Sequence, residues 1–256
     1  METIKTEQRG QAFWVTLDRP EVKNAFNDVV IRELREVFAA LPKEARVVVL
    51  TGAGSVFCAG ADVNWMKKSK SYTEEQNRTD AAAMSAMFRA IDECPRPVIG
   101  RINGVALGGG TGLTAVCDIV VAVESAQFGF TEVRLGIVPA VISAYVLPKI
   151  GPAMARRYFI TGERFGVDVA SRLGLVHEVA KADELDTKVE KMVGEILACG
   201  PDAVSIAKKL VQDELPMTRD EAVDYTVKTI AKVRVTPEAQ EGLGAFLEKR
   251  KAGWVK

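Results

Sequence analysis

Histidine is nearly absent from this chain of 256 residues; His177 is the only one. The four cysteines, Cys58, Cys94, Cys117 and Cys199, lie far apart and form no CxxC pair. Both scarcities argue against a Cys/His zinc site and point to a reducing compartment, most simply the cytoplasm. No apolar run approaches the ~18 residues that a membrane span needs. The opening "METIKTEQRG" has no apolar signal-peptide core, so a soluble protein is expected. Net charge is missing as well, since Lys plus Arg equals Asp plus Glu at 34 each. No global field would draw in nucleic acid or an anionic membrane. There is no repeat at a fixed period and no low-complexity tract.

The length allows one large domain, or one domain with an appendage. "AFWVTLDRP" alternates, is rich in β-formers and stops at Pro20. Asn27 can cap a helix whose apolar positions, Ile31, Leu34, Phe38 and Leu41, recur at helical spacing. "RVVVLTG" (46–52) reads as a strand buried on both faces. The lysine-rich "MKKSKSYTEEQNR" (66–78) reads as a mobile loop, followed by a helix over 79–92 that Pro95 ends. "RPVIGRINGVAL" and "DIVVAVESAQFGF" are two more apolar strands. Strands alternating with helices imply an α/β core up to about residue 190. Beyond it the sequence is helical, with a Thr218/Glu221 capping box and with Thr236 as N-cap before Pro237. The boundary is expected near 195, giving a core of 1–195 and a helical region of 196–256.

Between the two apolar strands stands "GVALGGGTGLTAVCDIV", with Gly108, Gly109, Gly110 and Gly112 in an apolar context. A dinucleotide fingerprint fails because its third glycine would fall on Leu113, and a phosphate loop fails because no lysine follows. The third reading is a strand-to-helix turn that brings bare backbone N–H groups up to a ligand oxygen. A tight turn that only packs one element on another is the alternative. "GSVFCAGADVNWM" (54–66) follows its own buried strand in the same way. Two such strand ends side by side could supply the converging donors of an oxyanion hole.

Six segments in order carry a resemblance: "LDRPEVKNAFN", "FCAGADVNWM", "INGVALGGGTGLTAVCDIVVA", "FGFTEVRLGIVPA", "GLVHEV" and "FLEKRKAGW". On them the chain resembles the crotonase (enoyl-CoA hydratase/isomerase) family along essentially its whole length. The resemblance implies a spiral of ββα units followed by a helical region that builds trimers, often paired into hexamers. It implies an acyl-CoA thioester as substrate and no metal or redox cofactor. By motif position the oxyanion donors would be the N–H groups of Ala61 and Gly109. Coenzyme A contacts would fall on Lys23, Ala25, Ala59 and Ala61. Phe246 and Lys249 match tail positions that reach coenzyme A in relatives, sometimes from a neighbouring subunit; Lys249 could equally be a charge on a solvated helix face.

One departure stands out. Hydratases of the family read GGGxE where this chain has Gly110-Thr111-Gly112, so the first family glutamate is absent. The second, 20 positions on, is Glu132. A single glutamate suffices to move a proton between carbons, as in the family's isomerases; alternatively it orients a water that adds to Cβ. The stretch "VPAVISAYVLPKIGPAMARRYFITGERF" and "GGGTGL" look like the methylglutaconyl-CoA and isohexenylglutaconyl-CoA hydratases. A substrate of that kind carries a second carboxylate, for which Arg134, Ser143 and Tyr145 are candidates; Arg134 could also be a surface ion-pair partner. Trp65 and Met66 are candidates for the acyl pocket, and Glu163 for a substitute acid. His177, Asp118, Cys58 and Cys117 read as structural. The leading expectation is hydration of an α,β-unsaturated acyl-CoA, then Δ3,Δ2-enoyl-CoA isomerisation. A non-catalytic acyl-CoA or RNA binder comes third.

Overall fold

A computed structural model of the protein describes residues 1–255. Its organising feature is a pair of sheets visited alternately by the chain. β1 (Ile4–Arg9) and β2 (Ala12–Leu17) form an antiparallel hairpin, and α1 (Asp28–Ala39) follows, capped by Asn27 through Val30 N. β3 (Val47–Gly52) joins β2 in parallel in the first sheet, while β4 (Val56–Cys58) starts the second sheet. α2 (Val63–Ser69) and α3 (Glu74–Asp92) come next. β5 (Val98–Ile102) returns to the first sheet, β6 (Val105–Leu107) to the second, and α4 (Gly109–Ala115) follows. β7 (Ile119–Val123) and β8 (Gln127–Gly129) repeat the move before a 3₁₀ turn (Thr131–Leu135) and α5 (Ala140–Thr161). β9 (Arg164–Gly166), α6 (Val167–Arg172), β10 (Glu178–Ala180) and α7 (Leu185–Ala198) close the spiral. Helices α8 (Pro201–Glu214), α9 (Arg219–Arg234) and α10 (Pro237–Leu247) complete the chain.

The first sheet runs β1-β2-β3-β5-β7-β10 and the second β4-β6-β8-β9. This is the spiral of ββα units that the family resemblance implies, followed by its helical region. The repeat escapes a fixed-period search because β3, β5 and β7 start at residues 47, 98 and 119. Each apolar segment read as one strand is really two, bent between sheets at Asn103-Gly104 and at Glu124-Ser125-Ala126. A β-carbon on Gly104 would collide with the Ser55 carbonyl of the neighbouring turn, so glycine lets successive turns stack.

β3 is buried at all six positions, as its continuous apolar run implies. β2 is also buried along most of its length, because it lies between β1 and β3. Burying Val48, Val49, Leu50, Phe57 and Phe128 completely contributes about 1.5–3 kcal/mol for each side chain. The lysine-rich 66–78 stretch is not a loop. It is the end of α2, a short turn, and the first turn of α3, which starts at Glu74 and not near 79. Thr73 and Gln76 make a capping box there, and the polar residues simply face solvent. Both caps expected in the tail are present: Thr218 with Glu221, and Thr236 before Pro237. No helix among the described residues is long and apolar enough to cross a membrane.

Candidate active site

The ends of β4 and β6 are brought together by close backbone contact. Gly60 has φ +93° and Gly108 φ +53°, a region that a side chain disfavours. A β-carbon on Gly60 would stand 2.9 Å from the Leu107 carbonyl oxygen. The remaining glycines of the cluster are explained by what they touch. A β-carbon on Gly109 would run into the Phe26 ring, one on Gly110 into the Cys58 carbonyl, and one on Gly112 into Ile142 Cγ2.

Among the N–H groups that this packing leaves without an acceptor among the described residues are those of Ala61 and Gly109. Ala61 forms an isolated parallel bridge with Phe26. The bridge is closed by Phe26 N to Gly60 O (2.9 Å) and Asp62 N to Phe26 O (3.0 Å), which leaves the Ala61 N–H uncommitted. Gly109 is the first residue of α4, where no intrahelical acceptor exists, and its N-cap Gly108 has no side chain to supply one. Thr111 fixes this helix start by donating from Oγ1 toward Ala106 O (2.8 Å) and Gly129 O (3.0 Å).

Glu132 sits in the 3₁₀ turn that follows β8. Its Oε1 approaches within 3.0 Å of the position a β-carbon on Gly108 would take. Its Oε2 is buried and has no hydrogen-bond partner. Burial raises the carboxyl's pKa above the ordinary glutamate range, and a backbone hydrogen bond offsets only part of the effect. Glu132, Ala61 and Gly109 line one cavity of about 370 Å³ together with Ala59, Trp65 and Met66.

Lys23 and Ala25 flank this cavity without lining it. Lys23 is left-handed (φ 57°), and its carbonyl accepts from Ala59 N at 3.0 Å. The Arg19 guanidinium donates to Ala25 O (2.6 Å) and to Asp62 Oδ2 (2.8 Å), lashing the 19–26 loop to the Ala59–Asp62 turn. Burial alone would raise the Asp62 pKa, but hydrogen bonds from Asn64 N, Arg19 and Trp65 N hold it below the usual aspartate range. Asp62→Ala is expected to cost about 3–5 kcal/mol, because it leaves the Arg19 charge unpaired in a mostly buried setting. A depressed carboxylate pKa stabilises the fold fully above the unfolded-state value; that stability is lost as pH falls through the depressed value. Urea titrations of wild type and Asp62→Ala at descending pH check both the size and the sign. A gap that stayed constant into acid would contradict them.

Five of the positions expected to meet the acyl group or supply an acid lie outside the cavity. Gly112 is buried under Ile142 and presents nothing to a ligand. Arg134 donates from Nε to Gly162 O (2.9 Å), which ties it to the end of α5. Ser143 Oγ donates to Ala140 O (2.7 Å) in its own helix. Tyr145 packs near Phe88 (5.9 Å between ring centroids) and borders a different cavity with Asp118, Lys149 and Lys208. Glu163 is partly exposed and paired with Arg157 at 2.7 Å. The cavity wall just past Glu132 is built instead by Ile137, Val138, Pro139, Val141 and Ile142. Phe246 is 81 % exposed and, like Lys249, lines no part of this chain's cavity.

The residues read as structural behave so. Asp118 Oδ2 accepts from Val98 N and from Lys208 Nζ, both at 2.7 Å, and His177 Nδ1 accepts from Val120 N at 2.9 Å. Burial pushes the Cys58 and Cys117 thiols up to about 12, which makes them inert. Sequence reasoning missed Phe26, Asn24, Thr111 and Asp80. The first two stand inside the matched "NAFN" and could have been found there. Asn24 is buried and bonds Ala53 O (2.8 Å) and Val56 O (2.7 Å), setting the loop against the β3–β4 turn.

Comparison with known proteins agrees with this geometry. The family model for enoyl-CoA hydratase/isomerase matches residues 7–256. A crotonyl-CoA hydratase of Syntrophomonas wolfei is 33% identical, with 99% of this chain and 98% of that protein covered. The crystal structure of an enoyl-CoA hydratase from Shewanella pealeana superimposes with a TM-score of 0.95 at 35% identity, covering 98% of this chain and 96% of that one. One from Mycobacterium smegmatis does so with a TM-score of 0.94 at 31% identity, covering 99% of each chain. A spiral with two uncommitted backbone donors and a half-buried glutamate in one cavity, matched over nearly its full length, identifies the chain as a member of the enoyl-CoA hydratase/isomerase family.

Proposed function

We propose that the protein adds water reversibly across the α,β double bond of an enoyl-CoA. The observation that carries this is the partnerless, buried carboxylate oxygen of Glu132 in the cavity lined by Ala61 and Gly109. The thioester oxygen accepts from the two N–H groups. Ionised Glu132 takes a proton from water as the oxygen of that water adds to Cβ. Negative charge moves onto the thioester oxygen, where each fixed donor is worth roughly 3 kcal/mol. Glu132, now protonated, hands a proton to Cα and is restored. The raised pKa suits both halves of the cycle, since it narrows the gap between the two protonation states near neutral pH. In this scheme no metal or redox cofactor takes part, and coenzyme A enters only as the substrate's thioester.

Ile142 over Gly112 favours a second reading. The place where hydratases of the family carry another carboxylate is occupied by hydrocarbon, which suits Δ3,Δ2-isomerisation. The sequence style of methylglutaconyl-CoA hydratases supports a branched, carboxylated acyl group. The cavity supports an uncharged one, because no lysine or arginine lines it among the described residues. Crotonyl-CoA, 3-methylglutaconyl-CoA and 3-hexenoyl-CoA, each followed by mass, separate these readings. A gain of one water on crotonyl-CoA is expected. An unchanged mass with a moved double bond on 3-hexenoyl-CoA, and inertness toward crotonyl-CoA, would make the protein an isomerase. Coenzyme A bound without any turnover would make it a binding protein.

The helical region 196–256 is proposed to assemble a homotrimer, or a hexamer of paired trimers. Support comes from apolar side chains exposed in the single chain, among them Val211, Leu215, Val227, Val235 and Leu247. In such an assembly Phe246 and Lys249 could reach a neighbour's coenzyme A. All four cysteines are free, which supports a cytoplasmic location.

A further inference from the structure

The cavity wall opposite in sequence to Glu132, contributed by α2 and α3, carries polar atoms that the proposed reaction does not use. Asp80 lines it from α3 and takes part in no ion pair among the described residues. Trp65 lines it from α2, and its indole Nε1–H is buried without a hydrogen-bond partner. Burial raises the Asp80 pKa above the usual aspartate range, and the Trp65 indole offsets part of that rise. Two neighbouring donors are already engaged. Asn77 donates to Tyr72 O and Thr73 O, and Ser69 Oγ donates to Met66 O at 3.0 Å. What α2 and α3 also bring to this cavity is the indole donor of Trp65 and the carboxylate acceptor of Asp80, in a largely apolar wall.

We propose that Asp80 and the Trp65 indole N–H form a subsite of the acyl pocket that receives a hydroxyl on the acyl chain and rejects a second carboxylate. A hydroxyl satisfies both groups at once, because its oxygen accepts from the indole and its hydrogen is donated to the carboxylate. A carboxylate can accept from the indole but offers Asp80 nothing, and it places like charges together where no lining cation offsets them. Lys68 acts on Asp80 from outside; it is exposed and does not line the cavity. Asp80 lines the cavity from α3 and Glu132 from the 3₁₀ turn after β8, so the subsite is assigned to the tail of the substrate and not to its reacting carbons. Asp80 is thus a specificity residue and not a catalytic one. The inference rests on the reading that this cavity holds the acyl chain of a thioester.

Binding of saturated thioesters tests it without any need for turnover. Pentanoyl-CoA, 5-hydroxypentanoyl-CoA and glutaryl-CoA are matched in length and differ only at the far end. Calorimetry on wild type is expected to show 5-hydroxypentanoyl-CoA binding about threefold tighter than pentanoyl-CoA, the worth of a net hydrogen bond. Glutaryl-CoA is expected to bind about tenfold or more weaker than the hydroxy compound. Asp80→Asn narrows that second ratio to within about threefold, and Trp65→Phe erases the first while keeping the ring. If glutaryl-CoA matches 5-hydroxypentanoyl-CoA on wild type, or if Asp80→Asn leaves their ratio unchanged, the subsite does not exist. Should Asp80→Asn not fold, the wild-type ratios and Trp65→Phe decide alone. Wild type that binds pentanoyl-CoA without discrimination overturns the subsite only; failure to bind pentanoyl-CoA at all overturns the acyl-pocket reading with it.

Discussion

Glu132→Gln is expected to lower kcat for hydration by about a thousandfold, in the middle of the range for loss of a general acid-base group. The amide matches the carboxylate in size, so the cavity around Gly108 keeps its shape. It cannot take a proton from water, nor hand one to Cα. KM should change little, because in the proposed scheme the thioester is held by the Ala61 and Gly109 backbone and not by the glutamate; the loss belongs to the transition state. Stability should move the other way. Glu132 Oε2 is buried without a partner, and burial opposes its ionised form. A neutral side chain removes that penalty, so the variant should melt at or above the wild-type temperature. A residue with a merely structural role would lose stability and activity together. Kinetics on crotonyl-CoA beside thermal melts therefore separate the two roles.

The second large effect concerns Gly112. Gly112→Ala is expected to destabilise the fold by about 1–3 kcal/mol, since it forces a methyl into packed space. The obstacle is Ile142 Cγ2, with Phe88 Cε1 behind it at 3.2 Å from the same β-carbon position. Ile142 is 3 % exposed, so Ile142→Ala alone should cost about 2–5 kcal/mol by opening a cavity. The double variant should cost less than the sum of the two, because each change relieves the other. Urea denaturation of all four proteins gives the coupling directly. Additive effects would mean that Ile142 does not occupy the space above Gly112. Coupling would also explain why a glutamate cannot simply be restored at 112: its path into the cavity is filled by hydrocarbon.

Much of this site was legible in the sequence, for identifiable reasons. Glycines at 60 and 108 advertise backbone that a side chain would obstruct, and "FTEVRLG" sets Glu132 at a fixed distance behind them. Buried strands such as "VVVLTG" announce themselves by continuous apolar character. The acyl wall was not legible. Arg134, Ser143 and Tyr145 were chosen for chemistry and proximity in sequence, but the 3₁₀ turn and α5 rotate all three away from the cavity and present Ile137, Val138 and Ile142 instead. Helical phase after an irregular turn cannot be read without the turn's geometry. Asp80 was hidden for the same reason that α3 was placed too late. It fell at the very start of the helix expected over 79–92, just behind a stretch read as a loop, and the Thr73 capping box shows that the helix has begun a turn earlier.

The central claim is that one glutamate performs both proton transfers. The pH profile of kcat/KM for crotonyl-CoA tests it most directly. The group must be ionised to accept a proton from water, so the rate should fall on the acid side. A single ionisation should govern that fall, with its midpoint above the ordinary glutamate range, as burial of Glu132 requires. A midpoint at or below that range, or two ionisations on the acid side, would show that another group shares the work and that the single-glutamate account is wrong.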